Sequence, residues 1–121
     1  MRWLLHGSMT NAVGEAVVRH GHQLRDQLQA GLPPDSSVEE VLKKAQDGQL
    51  DLLTTDADVV AAIFERGIGF SRSIVFLQLA GGEVEQDDAV DRLFKRYPRL
   101  SPRRLYTVTE TRVKVRQLPG A

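Results

Sequence analysis

Leu50-Asp51-Leu52-Leu53-Thr54-Thr55-Asp56-Ala57-Asp58-Val59-Val60 is the stretch that decides the fold class. Its first half is a short apolar run suited to a buried strand over 50–54. Its second half begins a run in which Val59, Val60, Ile63 and Phe64 recur at helical spacing, which predicts a helix over 57–65. A strand passing straight into a helix is the start of a β-α-β unit, and the alternation extends both ways along the chain. Upstream, Arg2 to His6 reads as a buried strand, and Thr10 as the N-cap of a helix carrying Ala12, Val13, Ala16 and Val17 and ending at Gly21. His22 to Leu24 reads as a brief strand and Gly31-Leu32-Pro33-Pro34-Asp35 as a loop. Ser37-Val38-Glu39-Glu40 has capping-box spacing and opens a helix that stops near Gly48, with Val38, Val41, Leu42 and Ala45 inward. Downstream, Ile74-Val75-Phe76-Leu77 is a buried strand, Gly81-Gly82 a turn, and Asp87 to Tyr97 a helix burying Ala89, Val90, Leu93 and Phe94. Leu105–Thr109 and Arg112–Arg116 alternate with period two around Glu110-Thr111, the pattern of a β-hairpin.

This order predicts an α/β fold: a three-layer, doubly wound, mainly parallel sheet with right-handed crossovers and a C-terminal antiparallel hairpin at one edge. Strands 2–6, 50–54 and 74–79 are expected as neighbours. The 121 residues suit one core, so 1–121 reads as a single domain.

Composition narrows the function classes. There is no cysteine, which excludes disulfides, thiolate catalysis and cysteine zinc sites. No apolar run is long enough to span a membrane, and the opening Met1-Arg2-Trp3-Leu4-Leu5-His6 is too short for a signal-peptide core, so a cytoplasmic protein is expected. Net charge is zero but unevenly divided: residues 1–91 hold 15 of the 16 acids and seven of the 16 bases, for −8, leaving +8 on residues 92–121. That division predicts either an acidic site with a separate basic surface, or an internally complementary fold. P-loop, G-x-G-x-x-G and G-x-S-x-G motifs are all absent, and Ser71 and Ser73 have no base beside them in sequence.

Chemistry concentrates where strands should end. Asp56 and Asp58 follow a strand, at the edge where open α/β sheets bind ligands, and two carboxylates there can share a hard cation such as Mg²⁺ or Mn²⁺. Asp56 is equally a natural N-cap, and Asp58 suits a first helical turn. Glu39 and Glu40 open another helix and can add a carboxylate, or Glu40 can close the capping box with Ser37. His6 ends the first strand at the same expected edge, whereas His20 and His22 flank Gly21 at a helix end. Arg112, Lys114 and Arg116 share one face of the hairpin, with Arg99, Arg103 and Arg104 just upstream. Such a stripe suits phosphates, or serves as an edge strand's protective polar face. No aromatic alternates with these charges, so a base-stacking platform is not indicated.

Taken together, the short first strand, the helix ending in Gly-His, the Glu-Glu-Val-Leu helix start, Leu-Leu-Thr-Thr-Asp-Ala-Asp, Ile-Val-Phe-Leu and the closing hairpin resemble the small PIN-like domains related to VapC toxin ribonucleases. The resemblance spans nearly the whole chain, and Thr54–Asp58 is its most specific part. It implies a divalent-metal-dependent endoribonuclease, with Mg²⁺ or Mn²⁺ held by Asp56 and Asp58, His6 at the third corner, and Glu39 or Glu40 beside them. It further implies single-stranded RNA as substrate, contacted by Arg103, Arg104, Arg112, Lys114 and Arg116, together with an antitoxin-like protein partner and a homodimer. One departure bears on activity: family members run from the first strand into Asp-Glu-Asn, and this chain has His6-Gly7-Ser8. The acidic position of the second helix falls nearest Val38, with Glu39 and Glu40 just beyond. The expectation is therefore a PIN-like domain of ribonuclease ancestry with reduced or altered activity. The alternatives are a non-catalytic RNA- or protein-binding module on the same fold, and a divergent phosphatase-like or regulatory α/β domain.

Overall fold

The computed structural model describes residues 1–80 and 82–119. Ten elements follow in order: β1 (Arg2–His6), α1 (Asn11–Arg19), β2 (Gln23–Arg25), α2 (Val38–Asp47), β3 (Asp51–Thr54), α3 (Ala57–Phe64), β4 (Ile74–Leu77), α4 (Glu83–Arg96), β5 (Arg104–Val108) and β6 (Val113–Gln117). The strands form one sheet in the order β2-β1-β3-β4-β5-β6. Every pairing is parallel except β5 with β6, which closes the sheet as an antiparallel hairpin.

Alternation along the strands sends successive side chains to opposite faces and so builds two cores. Leu4, Leu52, Ile74 and Leu105 pack against α2 and α3. Trp3, Leu53, Val75, Tyr106 and Val108 pack against α1 and α4. The central strands β3 and β4 are buried at every residue, as parallel strands covered on both faces must be. The expected α/β class, mainly parallel sheet and C-terminal hairpin are all present, and β1, β3 and β4 are neighbours over Arg2–His6, Asp51–Thr54 and Ile74–Leu77.

Two local expectations are corrected. Helix α4 begins at Glu83, not Asp87: Glu83 and Glu85 in its first turn suit the positive end of the helix dipole, and the side chain of Gln86 turns inward. Gly81, half of the expected turn, lies outside the described residues. Thr10 stands at the N-cap of α1 but makes no side-chain cap bond. Its hydroxyl donates instead to Gln86 Oε1 at 3.1 Å, and its backbone N–H donates to the same oxygen at 2.9 Å. That contact ties the start of α1 to α4.

From β1 the chain crosses to β2 on one side, then returns past β1 to β3 on the other. The strand order therefore reverses between β1 and β3, and a crevice outside the carboxyl ends of these strands is the fold's natural ligand position.

Candidate functional site

His6 ends β1 and Thr54 ends β3, and the two are partners in the strand register. Because Leu4 and Leu52 face α2 and α3, period-two alternation turns His6 and Thr54 to the same face. His6 Nδ1 lies 2.8 Å from Thr54 Oγ1, and both residues are buried. The same hydroxyl oxygen accepts the Asp56 backbone N–H at 3.0 Å. Burial pushes the His6 pKa below its ordinary value, and the nearby Asp56 carboxylate opposes that shift without overcoming it. His6 and Asp56 thus meet at the switch point.

The loops after β1 and β3 are laced together. Thr55 Oγ1 accepts the Ser8 N–H at 2.8 Å, and the Thr55 N–H donates to the His6 carbonyl at 3.3 Å. Gly7 lets the chain turn there: its φ is +97°, and a Cβ at this position would collide with the Thr55 hydroxyl.

The carboxylates are engaged within the protein. Asp56 caps α3, its Oδ1 accepting the Asp58 N–H at 2.9 Å. Arg66 grips both Asp58 oxygens, Nη1 to Oδ1 at 3.2 Å and Nη2 to Oδ2 at 3.3 Å, and Nη2 also donates to Glu39 Oε1 at 3.2 Å. This guanidinium bridges the first turns of α2 and α3, with all three side chains about half in solvent. Glu40 is held by its own helix start: Ser37 Oγ donates to Glu40 Oε1 at 3.1 Å, and the Glu40 N–H donates back to Ser37 Oγ at 3.1 Å.

A divalent ion does not fit these residues as they stand. The cationic position between Asp58 and Glu39 is filled by Arg66, and Asp56 gives one oxygen to its helix. Among the described residues no group of three or more His, Asp or Glu is placed to hold a metal.

The basic residues divide between the two ends of the sheet. Arg103 and Arg104 lie at the start of β5, the amino edge, where Arg103 lines a cavity of about 320 Å³ with Gln46, Ile63, Phe70 and Ser71. Arg112 precedes β6 and Lys114 pairs with Thr107, which places both at the carboxyl edge. Arg116 is stacked on the Phe64 ring, its guanidinium carbon 3.8 Å from the ring centre. Register partners run His6, Thr54, Phe76, Thr107, Lys114 in one rung across five strands. At the usual strand spacing, Lys114 therefore stands about 19 Å from His6.

Thr54 and Arg66 were not singled out in the sequence as site residues. Thr54 sits inside the quoted motif, but a strand-end threonine carries no mark of its hydrogen-bond partner. Arg66 follows a helix by two residues, and nothing in the local spacing points it back at Asp58. No described helix is long and apolar enough to cross a membrane. In comparisons with known proteins, no family model, no curated protein and no solved structure matches this chain.

Proposed function

We propose that this chain is a PIN-like domain of metal-dependent ribonuclease ancestry whose acidic centre is held closed, so that cleavage of single-stranded RNA is reduced. The observation that supports this reading is the meeting of His6, Thr54 and Asp56 at the β1/β3 switch point, with Asp58 and Glu39 joined beside it by Arg66. Ligand sites in open α/β sheets lie at that position, and Asp56 and Asp58, the two residues that match the resembling family's acidic set, follow the strand that ends there. An imidazole in place of the first carboxylate removes a negative charge and an oxygen donor that Mg²⁺ favours. Its effect and that of the Arg66 bridge act in the same direction, towards weak metal binding.

The test is a titration of Mg²⁺ and Mn²⁺ into wild type, His6→Asp and Asp56→Asn, with cleavage of a mixed single-stranded RNA pool followed in parallel. His6→Asp is expected to strengthen metal binding about tenfold or more and to raise cleavage, because one restored charged ligand is worth a few kcal/mol in a partly desolvated site. Asp56→Asn is expected to abolish both. Equal, negligible binding in all three proteins overturns the nuclease reading.

A second reading is favoured by the engagement of every acid at the site. With Asp56 capping α3, Glu40 in its capping box, and Asp58 and Glu39 on Arg66, the same fold serves as a non-catalytic module for RNA or a protein partner. RNA binding without cleavage in any of the three proteins selects it.

A further inference from the structure

Residues 1–91 contain seven basic side chains against 15 acids. Four of the seven are ion-paired: Arg19 with Asp87, Lys43 with Asp47, Arg66 with Asp58 and Glu39, and Arg72 with Asp51. Among the described residues the remaining three, Arg2, Arg25 and Lys44, have neither an ion pair nor a side-chain hydrogen bond. All three line one cavity of about 370 Å³, together with Ala30, Asp47, Gly48 and Leu50.

The strand register explains the convergence. Arg2 pairs with Gln23, and Leu4 with Arg25. Leu4 belongs to the core beneath α2, so Arg2, two residues earlier, and Arg25, its register partner, share that face. From strand spacing and rise their Cα atoms stand about 8 Å apart, well within reach of two converging arginine side chains. Lys44 enters from the last turn of α2, and buried Leu50 and Ala30 form the floor. A second hollow of about 200 Å³ continues along the strand ends and shares Arg2, Arg25 and Leu50.

We propose that this groove is an anion site for linked phosphates, distinct from the switch-point centre. Guanidinium forks match phosphate oxygens in bidentate fashion, and an ammonium adds a third point of charge. Lys44 also offsets the negative end of α2, which leaves the charges of Arg2 and Arg25 free for a ligand. The one carboxylate on the wall, Asp47, is held by Lys43 at 2.9 Å. The size falls in the range of small-ligand cavities, roughly 300–1,000 Å³. Arg2 begins β1 and His6 ends it, so the groove opens about 13 Å from the switch point, at the opposite edge of the same face.

The shared chemistry is the phosphoanhydride or phosphodiester unit, carried by a free oligophosphate or by an RNA backbone. Inorganic pyrophosphate is the first probe, titrated into the full chain by NMR at moderate salt. Amide signals around Arg2, Arg25 and Lys44 are expected to move. Affinity is expected to fall about tenfold or more in Arg2→Gln/Arg25→Gln, while Arg103→Gln/Arg104→Gln and Asp56→Asn leave it unchanged. The substituted arginines are exposed, and thermal melts confirm that each variant is folded. Failure of the wild type to bind pyrophosphate, equal affinity in Arg2→Gln/Arg25→Gln, or an equal loss in Arg103→Gln/Arg104→Gln overturns the proposal. A short oligoribonucleotide added to the pyrophosphate complex separates the sources: competition assigns the groove to RNA backbone, and its absence assigns it to free oligophosphate.

Discussion

Arg66 joins Asp58 and Glu39 from a position just past the end of α3, and its charge takes the place a cation would hold between them. The bridge is exposed and screened by solvent, so it contributes little to folding, yet any incoming cation must displace it. Arg66→Gln is therefore expected to leave the melting temperature nearly unchanged and to raise Mn²⁺ affinity about tenfold, measured by calorimetric titration. An unchanged affinity shows that Asp58 and Glu39 do not contribute to metal binding. Gly7 carries a different constraint. At φ +97° with Thr55 packed against it, Gly7→Ala combines left-handed strain with a steric clash, and a loss of about 2 kcal/mol or more is expected in denaturant unfolding. The carboxylates of the candidate site were legible in the sequence because strand-end and helix-start positions announce themselves. Their partners were not, since Arg66 reaches Glu39 across 27 residues and Thr54 reaches His6 across 48.

The helices show why some boundaries are readable and others are not. Helix α2 announces both ends, with Ser37 and Glu40 in a complete capping box and Gly48 at the stop. Ser37→Ala is expected to cost about 1 kcal/mol, read as a lower midpoint in urea. Helix α4 hides its first turn because Glu83–Gln86 offers no apolar face; Val84 is 77% exposed. That turn is anchored through Gln86, whose side chain reaches from α4 to Thr10 and to the Ser8 carbonyl. The hairpin was legible from alternation alone, and the register pairs Tyr106 with Val115 and Thr107 with Lys114 as that pattern requires. What alternation does not reveal is that Arg116 is already engaged with Phe64 of α3.

Across the whole molecule, the acidic first part and the basic last part of the sequence meet within α4. Arg92 and Lys95 pair with Asp88 and Asp91 inside α4, and Arg19 of α1 pairs with Asp87 across the helix interface. Charge summed along the sequence records neither pairing nor which cations are left over. Topology was legible because each apolar run matches one strand or one helix face. The pH response follows from two histidines. Burial lowers the pKa of His6 and of His22, so the unfolded chain binds protons more readily than the folded one in this range. Stability is then fully present above the unfolded value of about 6.5, and it declines as pH falls below it. Asp91 is held at about 2 by Lys95 and His20, stays charged through that window and adds no slope there. Melting temperature is expected to drop between neutral pH and the mid-fives, with a smaller drop in His22→Gln. A flat profile shows that neither imidazole is kept neutral by the fold.

The contact between His6 and Thr54 also bears on which side of the imidazole carries its hydrogen. Thr54 is sealed from solvent, and its hydroxyl oxygen already accepts the Asp56 N–H. Its single proton has one acceptor among the described residues, the Nδ1 lone pair of His6. With Nδ1 accepting, the neutral ring bears its proton on Nε2, which has no hydrogen-bond partner among the described residues. In that state His6 offers an N–H, where a lone pair would be needed to coordinate an ion. The visitor it suits is an oxygen acceptor, such as the edge of a phosphate.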